Sequence, residues 1–120
     1  MPHVIVEYSG NIEAWGDPAR IAHAVHVALC TSGHLPADAV KTRAMCHDIW
    51  HAGTDTEGTK CFVTILIRTR PGREDHVLKV ISGLARDAVI ESTAPVSNKT
   101  LTVSVEVQMM NPVAVVHATI

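Results

Sequence analysis

The sequence predicts an α+β fold in which two β-α-β units form one four-stranded mixed sheet with two helices on one face. Three observations predict it. Short β-branched segments alternate with segments of helical period in the order strand, helix, strand, strand, helix, strand. The two triplets are of similar size and are joined by a polar stretch at 51–60 that carries Gly53 and Gly58. A chain of 120 residues has room for one core only, so residues 1–120 are read as one domain. Right-handed crossovers in both units would put both helices on the same side of the sheet.

Pro2 to Tyr8 is short and β-branched, with Val4, Val6 and Tyr8 on one parity, and reads as the first strand. Asp17 is placed to N-cap a helix that opens with Pro18, and Ile21, Val25, Ala28 and Leu29 follow at helical spacing. Gly33 supplies its stop. Val40 to Trp50 mixes polar and apolar residues over a length that suits a second strand. His51 to Lys60 then reads as a hairpin loop between adjacent strands. Cys61 to Arg68 is nearly all apolar, as expected of a strand buried on both faces, and Pro71-Gly72 ends it. Glu74 and Asp75 put negative charge at the start of a second helix, whose stripe is Val77, Ile81, Leu84 and Ala88 and whose end falls near Ile90 to Thr93. In the last strand, Leu101, Val103, Val105, Val107 and Met109 alternate with Thr102, Ser104, Glu106 and Gln108. One sheet face is left without helices. With an apolar tail at Val113 to Val116, self-association is the expected cover.

Composition narrows the function classes. Apolar residues make up 47% and charged ones 18%, which excludes a disordered or fibrous chain. The formal charge is -2 without a cationic block, so nucleic acid is not the expected partner. Runs such as Cys61 to Ile67 are far shorter than the roughly 20 residues that span a bilayer, so no membrane partner is expected either. The opening Met1-Pro2-His3-Val4 lacks a basic region and a cleavage site, which makes the cytoplasm the expected compartment. Cys30, Cys46 and Cys61 are odd in number and widely separated, so they read as reduced and mostly buried thiols.

The most unusual chemistry lies at Pro2. A small second residue permits removal of the initiator Met, which would leave a free secondary amine at the chain's start. Such an amine titrates near 7.7 to 8.0, lower when buried or beside cations, and an ordered strand starting at Pro2 would hold it in place as a general base. Lys41 and Arg43 share strand parity, and Arg73 stands at the start of the second helix; together they could hold carboxylates. The eight histidines complete no recognised metal spacing: His23 and His26 share a helix, while His47 and His51 span a strand end and a loop. No metal site is expected. Cys46 and His47 point to opposite strand faces, and nucleophile elbows, phosphate loops and dinucleotide fingerprints are absent.

The opening Pro2-His3-Val4-Ile5-Val6-Glu7, the segment Pro36 to Trp50 with Arg43 and Asp48-x-Trp50, and Phe62-Val63 leading to Gly72-Arg73 resemble the 5-carboxymethyl-2-hydroxymuconate delta-isomerase family of the tautomerase superfamily. The resemblance covers most of residues 2 to 73 and is one of pattern alone beyond about Ile90. It implies a homotrimeric, cofactor-free isomerase that interconverts a dienol and its conjugated ketone in aromatic breakdown through homoprotocatechuate. It implies Pro2 as the catalytic proton shuttle and Arg43 as a ligand of a substrate carboxylate or the 2-oxo group. Lys41 stands where the resemblance leads one to expect arginine, which keeps the charge and loses the bidentate fork. Arg73 matches the Gly-Arg pair before the second helix and completes the implied substrate-binding set. Two other readings stay open: a tautomerase of another 2-oxo or 2-hydroxydienoic acid, and a non-catalytic oligomeric anion-binding protein on the same scaffold. Retention of Met1, which would tie the amine into a peptide bond, is the sign of the latter.

Overall fold

Strand β1 (His3–Ser9) forms where β-branched alternation predicts it, with Val4 and Val6 fully buried on one side. The computed structural model describes residues 1–120. Helix α1 (Pro18–Cys30) opens on Asp17, whose carboxylate accepts from the Ala19 amide at 3.1 Å. Ile21, Val25 and Leu29, four apart, are its buried stripe. The helix ends at Cys30, and Gly33 turns the chain two residues after the C-cap with φ of 78°.

Strand β2 (Lys41–His47) is shorter than expected, ending before Trp50. The chain leaves the sheet there to seat the Trp50 indole over Gly10, where a β-carbon would come within 3.1 Å of the ring. Strand β3 (Lys60–Thr69), helix α2 (Asp75–Glu91) and strand β4 (Thr100–Met109) follow in the expected order. On α2 the buried residues are Ile81, Ala85, Ala88 and Val89, so its core stripe is turned slightly from the one read off the sequence.

The sheet order is β2-β1-β3-β4, with β1 parallel to β2, β1 antiparallel to β3 and β3 parallel to β4. The segment 51–60 is therefore not a hairpin loop: it carries the chain past β1 to that strand's far edge. The physical reason is burial. The apolar strands β1 and β3 take the centre, and β2, with Lys41, Arg43 and mostly exposed side chains, takes an edge. Asn11 holds the crossing segment by donating to the carbonyls of Gly58 (3.3 Å) and Lys60 (2.9 Å). Asp55 folds the segment onto itself by accepting from Thr59 and from the Lys60 amide.

Both helices pack on one face over a cluster of 16 buried residues. The other face is open, and there β3 departs from the expectation of burial on both sides: Val63, Ile65 and Ile67 are buried, whereas Phe62, Thr64 and Leu66 are half-covered. Cys61 is buried and Cys30 partly so, but Cys46 is exposed because β2 is an edge strand. No helix is long and apolar enough to cross a membrane.

Candidate active site

Antiparallel pairing of β1 with β3 brings the start of β1, the start of β2 and the end of β3 to one end of the sheet. Pro2 is buried there, and its carbonyl accepts from the Lys41 amide at 3.0 Å. A cavity of about 740 Å³ opens beside it, within the size range of small-molecule sites. Its walls are Pro2 and His3, the Pro36–Ala39 turn, Lys41, the segment from Thr69 through Arg70 to Arg73, and the tail residues Val116 to Thr119.

Of the residues singled out in the sequence, Pro2, Lys41 and Arg73 meet in this cavity. Arg43 does not line it. Two residues further along β2, it lies on the open sheet face, where its Nη1 donates to His3 Nδ1 at 3.1 Å. That bond makes Nδ1 an acceptor and leaves the ring proton of neutral His3 on Nε2. Burial and the charges of Arg43, Lys41 and Arg68 hold His3 below its ordinary pKa, so the neutral ring is favoured. Arg73 is fixed by the protein: Nη1 donates to Thr69 Oγ1 at 2.6 Å and to the Arg70 carbonyl at 3.2 Å, and Nε donates to the His34 carbonyl at 3.4 Å.

The terminal amine itself, here that of Met1, is held below its ordinary pKa by burial and then by the charges of Arg70, Lys41 and Arg73. Desolvation and cations both disfavour the protonated form. Loss of Met1 would leave the Pro2 amine as the first group of the chain at this cationic end of the sheet. Among the wall residues that the sequence reading did not single out as site residues are His3, Arg70 and the buried Thr69. Arg70 carries no spacing signal, and only the antiparallel register, invisible in one sequence, brings it back to Pro2.

Three of the remaining histidines have local partners, His76 among them with Glu74 at 3.1 Å. His47 pairs with Glu7 at 3.0 Å and His26 with Thr42 at 2.7 Å. No group of three or more His, Cys, Asp or Glu side chains converges as a metal site would require.

A four-stranded mixed sheet of paired β-α-β units with both helices on one face defines an α+β protein, with a cavity lined by cations at one end of the sheet. The sequence matches a family model, CHMI: 5-carboxymethyl-2-hydroxymuconate isomerase, over residues 2–119, and the chain belongs to that family of isomerases. No curated protein matches it. Among solved structures, a 5-carboxymethyl-2-hydroxymuconate delta-isomerase is similar over 99% of this chain and 89% of its own, with 17% identity and a TM-score of 0.82. A 5-carboxymethyl-2-hydroxymuconate isomerase from Deinococcus radiodurans R1 aligns over 98% of this chain and 88% of its own, with 15% identity and a TM-score of 0.80. A structure described as a fused 4-OT wild-type symmetric trimer is more distant, with a TM-score of 0.63 and 16% identity over 89% of this chain and 85% of its own.

Proposed function

We propose that this isomerase converts a dienol to its conjugated ketone on a multiply carboxylated muconate-type substrate such as 5-carboxymethyl-2-hydroxymuconate, with the Pro2 amine as proton shuttle. The observation that carries the reading is the buried Pro2 just before β1, which lines one cavity together with the cations Lys41, Arg70 and Arg73. After loss of Met1, the neutral amine takes the 2-hydroxyl proton of the dienol. Charge develops on that oxygen and spreads along the conjugated carbons, and the protonated amine returns its proton at carbon to give the conjugated ketone.

Lys41 and Arg73 would hold substrate carboxylates at the cavity wall, with Arg73 preset by its bonds to Thr69, Arg70 and His34. Arg43 would serve carboxylate or 2-oxo binding from the open-face side of His3, and its charge also keeps His3 neutral. Neither metal nor organic cofactor enters this chemistry, since proton transfer and charge stabilisation suffice for it. We place the enzyme in the cytoplasm, in aromatic breakdown through homoprotocatechuate, as one domain assembled into a homotrimer. The half-covered Ile5, Phe62 and Leu66 on the open face and the symmetric trimer of the fused 4-OT relative favour that assembly. Lys41, a point charge in place of a fork, keeps a related 2-hydroxydienoic acid as the second reading.

The test is the ultraviolet-monitored ketonisation of 5-carboxymethyl-2-hydroxymuconate by protein whose intact mass lacks Met1. Pro2→Ala, still processed, should lose about 10²- to 10⁴-fold in rate, the usual worth of a positioned general base. Unchanged turnover in that variant would sink the reading.

A further inference from the structure

We propose that Arg70 sets the preference for polycarboxylates: its guanidinium binds a substrate carboxylate that monocarboxylate enols lack. The inference rests on the functional reading above and deepens it. Three cationic side chains line the cavity, and two of them are committed to protein acceptors. Arg73 spends Nε and Nη1 on three oxygens, and Lys41 Nζ donates to the Ala39 carbonyl at 3.5 Å. The Arg70 guanidinium makes neither a hydrogen bond nor an ion pair with the protein, although its carbonyl is held by Arg73. Asp38, the one acidic residue of the wall, does not pair with it.

Position supports the role. Arg70 follows Thr69, the last residue of β3, whose carbonyl accepts from the Met110 amide at 2.8 Å, and precedes Pro71, so its backbone is anchored on both sides. Arg70 lines the same cavity as Pro2, and its charge also lowers the pKa of the Met1 amine at that end of the sheet. A free planar fork matches a carboxylate with two parallel bonds, a geometry that Lys41 lacks. A substrate with one carboxylate can be held by the preset Arg73, whereas each further carboxylate draws on the remaining cations of the wall, Lys41 and the unbonded Arg70.

The experiment compares wild-type, Arg70→Ala and Arg70→Lys on three dienols: 5-carboxymethyl-2-hydroxymuconate with three carboxylates, 2-hydroxymuconate with two and 2-hydroxypenta-2,4-dienoate with one. Alongside, calorimetric titration with propane-1,2,3-tricarboxylate reads anion binding without any proton transfer. For Arg70→Ala we expect kcat/KM on the tri- and dicarboxylate to fall about tenfold or more, mostly through KM, with the monocarboxylate within about twofold, since one charge-assisted hydrogen bond is at stake. Arg70→Lys should recover part of the loss, and tricarboxylate binding should weaken by a similar factor. An equal loss on all three substrates, or none on any, overturns the proposal. A Pro2→Ala variant that stays active would overturn the proton-shuttle reading instead, and the tricarboxylate titration would still decide Arg70.

Discussion

Pro2 owes its chemical interest to its neighbours. A terminal amine surrounded by solvent would be mostly protonated at pH 7 and a poor base. Burial and the cations Arg70, Lys41 and Arg73 lower the pKa of the Met1 amine at this end of the sheet, and Pro2, buried beside the same cavity, would expose its own amine to those cations once Met1 is lost. In the proposed mechanism the active form is the neutral Pro2 amine, so kcat/KM should fall as pH drops through that amine's pKa. That acid limb should have its midpoint below the ordinary α-amine range of about 7.7 to 8.0. A pH-rate profile on Met1-free enzyme checks it, and a midpoint at or above 8 would mean that Asp38 and solvent cancel the cations. At this scale Pro2, Lys41 and Arg73 were legible in the sequence because an unusual terminus, strand parity and a helix start each leave a local mark. Arg70 and His3 were not. Their membership in the wall depends on which strands are neighbours, and Arg43, though on the same parity as Lys41, does not line the cavity itself but bonds the ring of His3, which does.

The elements were legible where one local rule decides them. Asp17-Pro18 opens α1, and alternation marks β1 and β4, as the folded chain has them. The connection at 51–60 was misread because a polar, glycine-containing loop is the same object whether it joins neighbours or crosses a strand; only competition for the sheet centre decides between them. A less visible joint links the two units. Ala94 donates to the Trp15 carbonyl at 2.9 Å, and Gly16 lies so close that a β-carbon there would stand 2.8 Å from the Ser92 carbonyl oxygen. Because the obstacle is backbone at the end of α2, Gly16→Ala must displace one unit against the other. We expect a loss of about 1 to 3 kcal/mol in urea-induced unfolding, the usual range for overpacking. A variant as stable as the parent would mean that this joint yields freely.

The whole molecule leaves one sheet face half-covered, with Ile5, Phe62 and Leu66 set among charged neighbours such as Glu7 and Arg68. The count of faces and helices in the sequence points to self-association of this face and carries no stoichiometry, since no single chain encodes a symmetry operator locally. The apolar tail is open in the single chain, Val113 and Val116 being over 90% exposed, and Val116 to Thr119 line the same cavity as Pro2. Both ends of the chain therefore meet at the site, and the state of the first residue governs the whole. The direct measurement is the ketonisation rate of two forms of the same chain, separated by intact mass, one beginning at Pro2 and one retaining Met1. The form beginning at Pro2 should carry essentially all the activity, because Met1 ties the amine nitrogen into a peptide bond. Equal rates in the two forms would contradict catalysis by that amine.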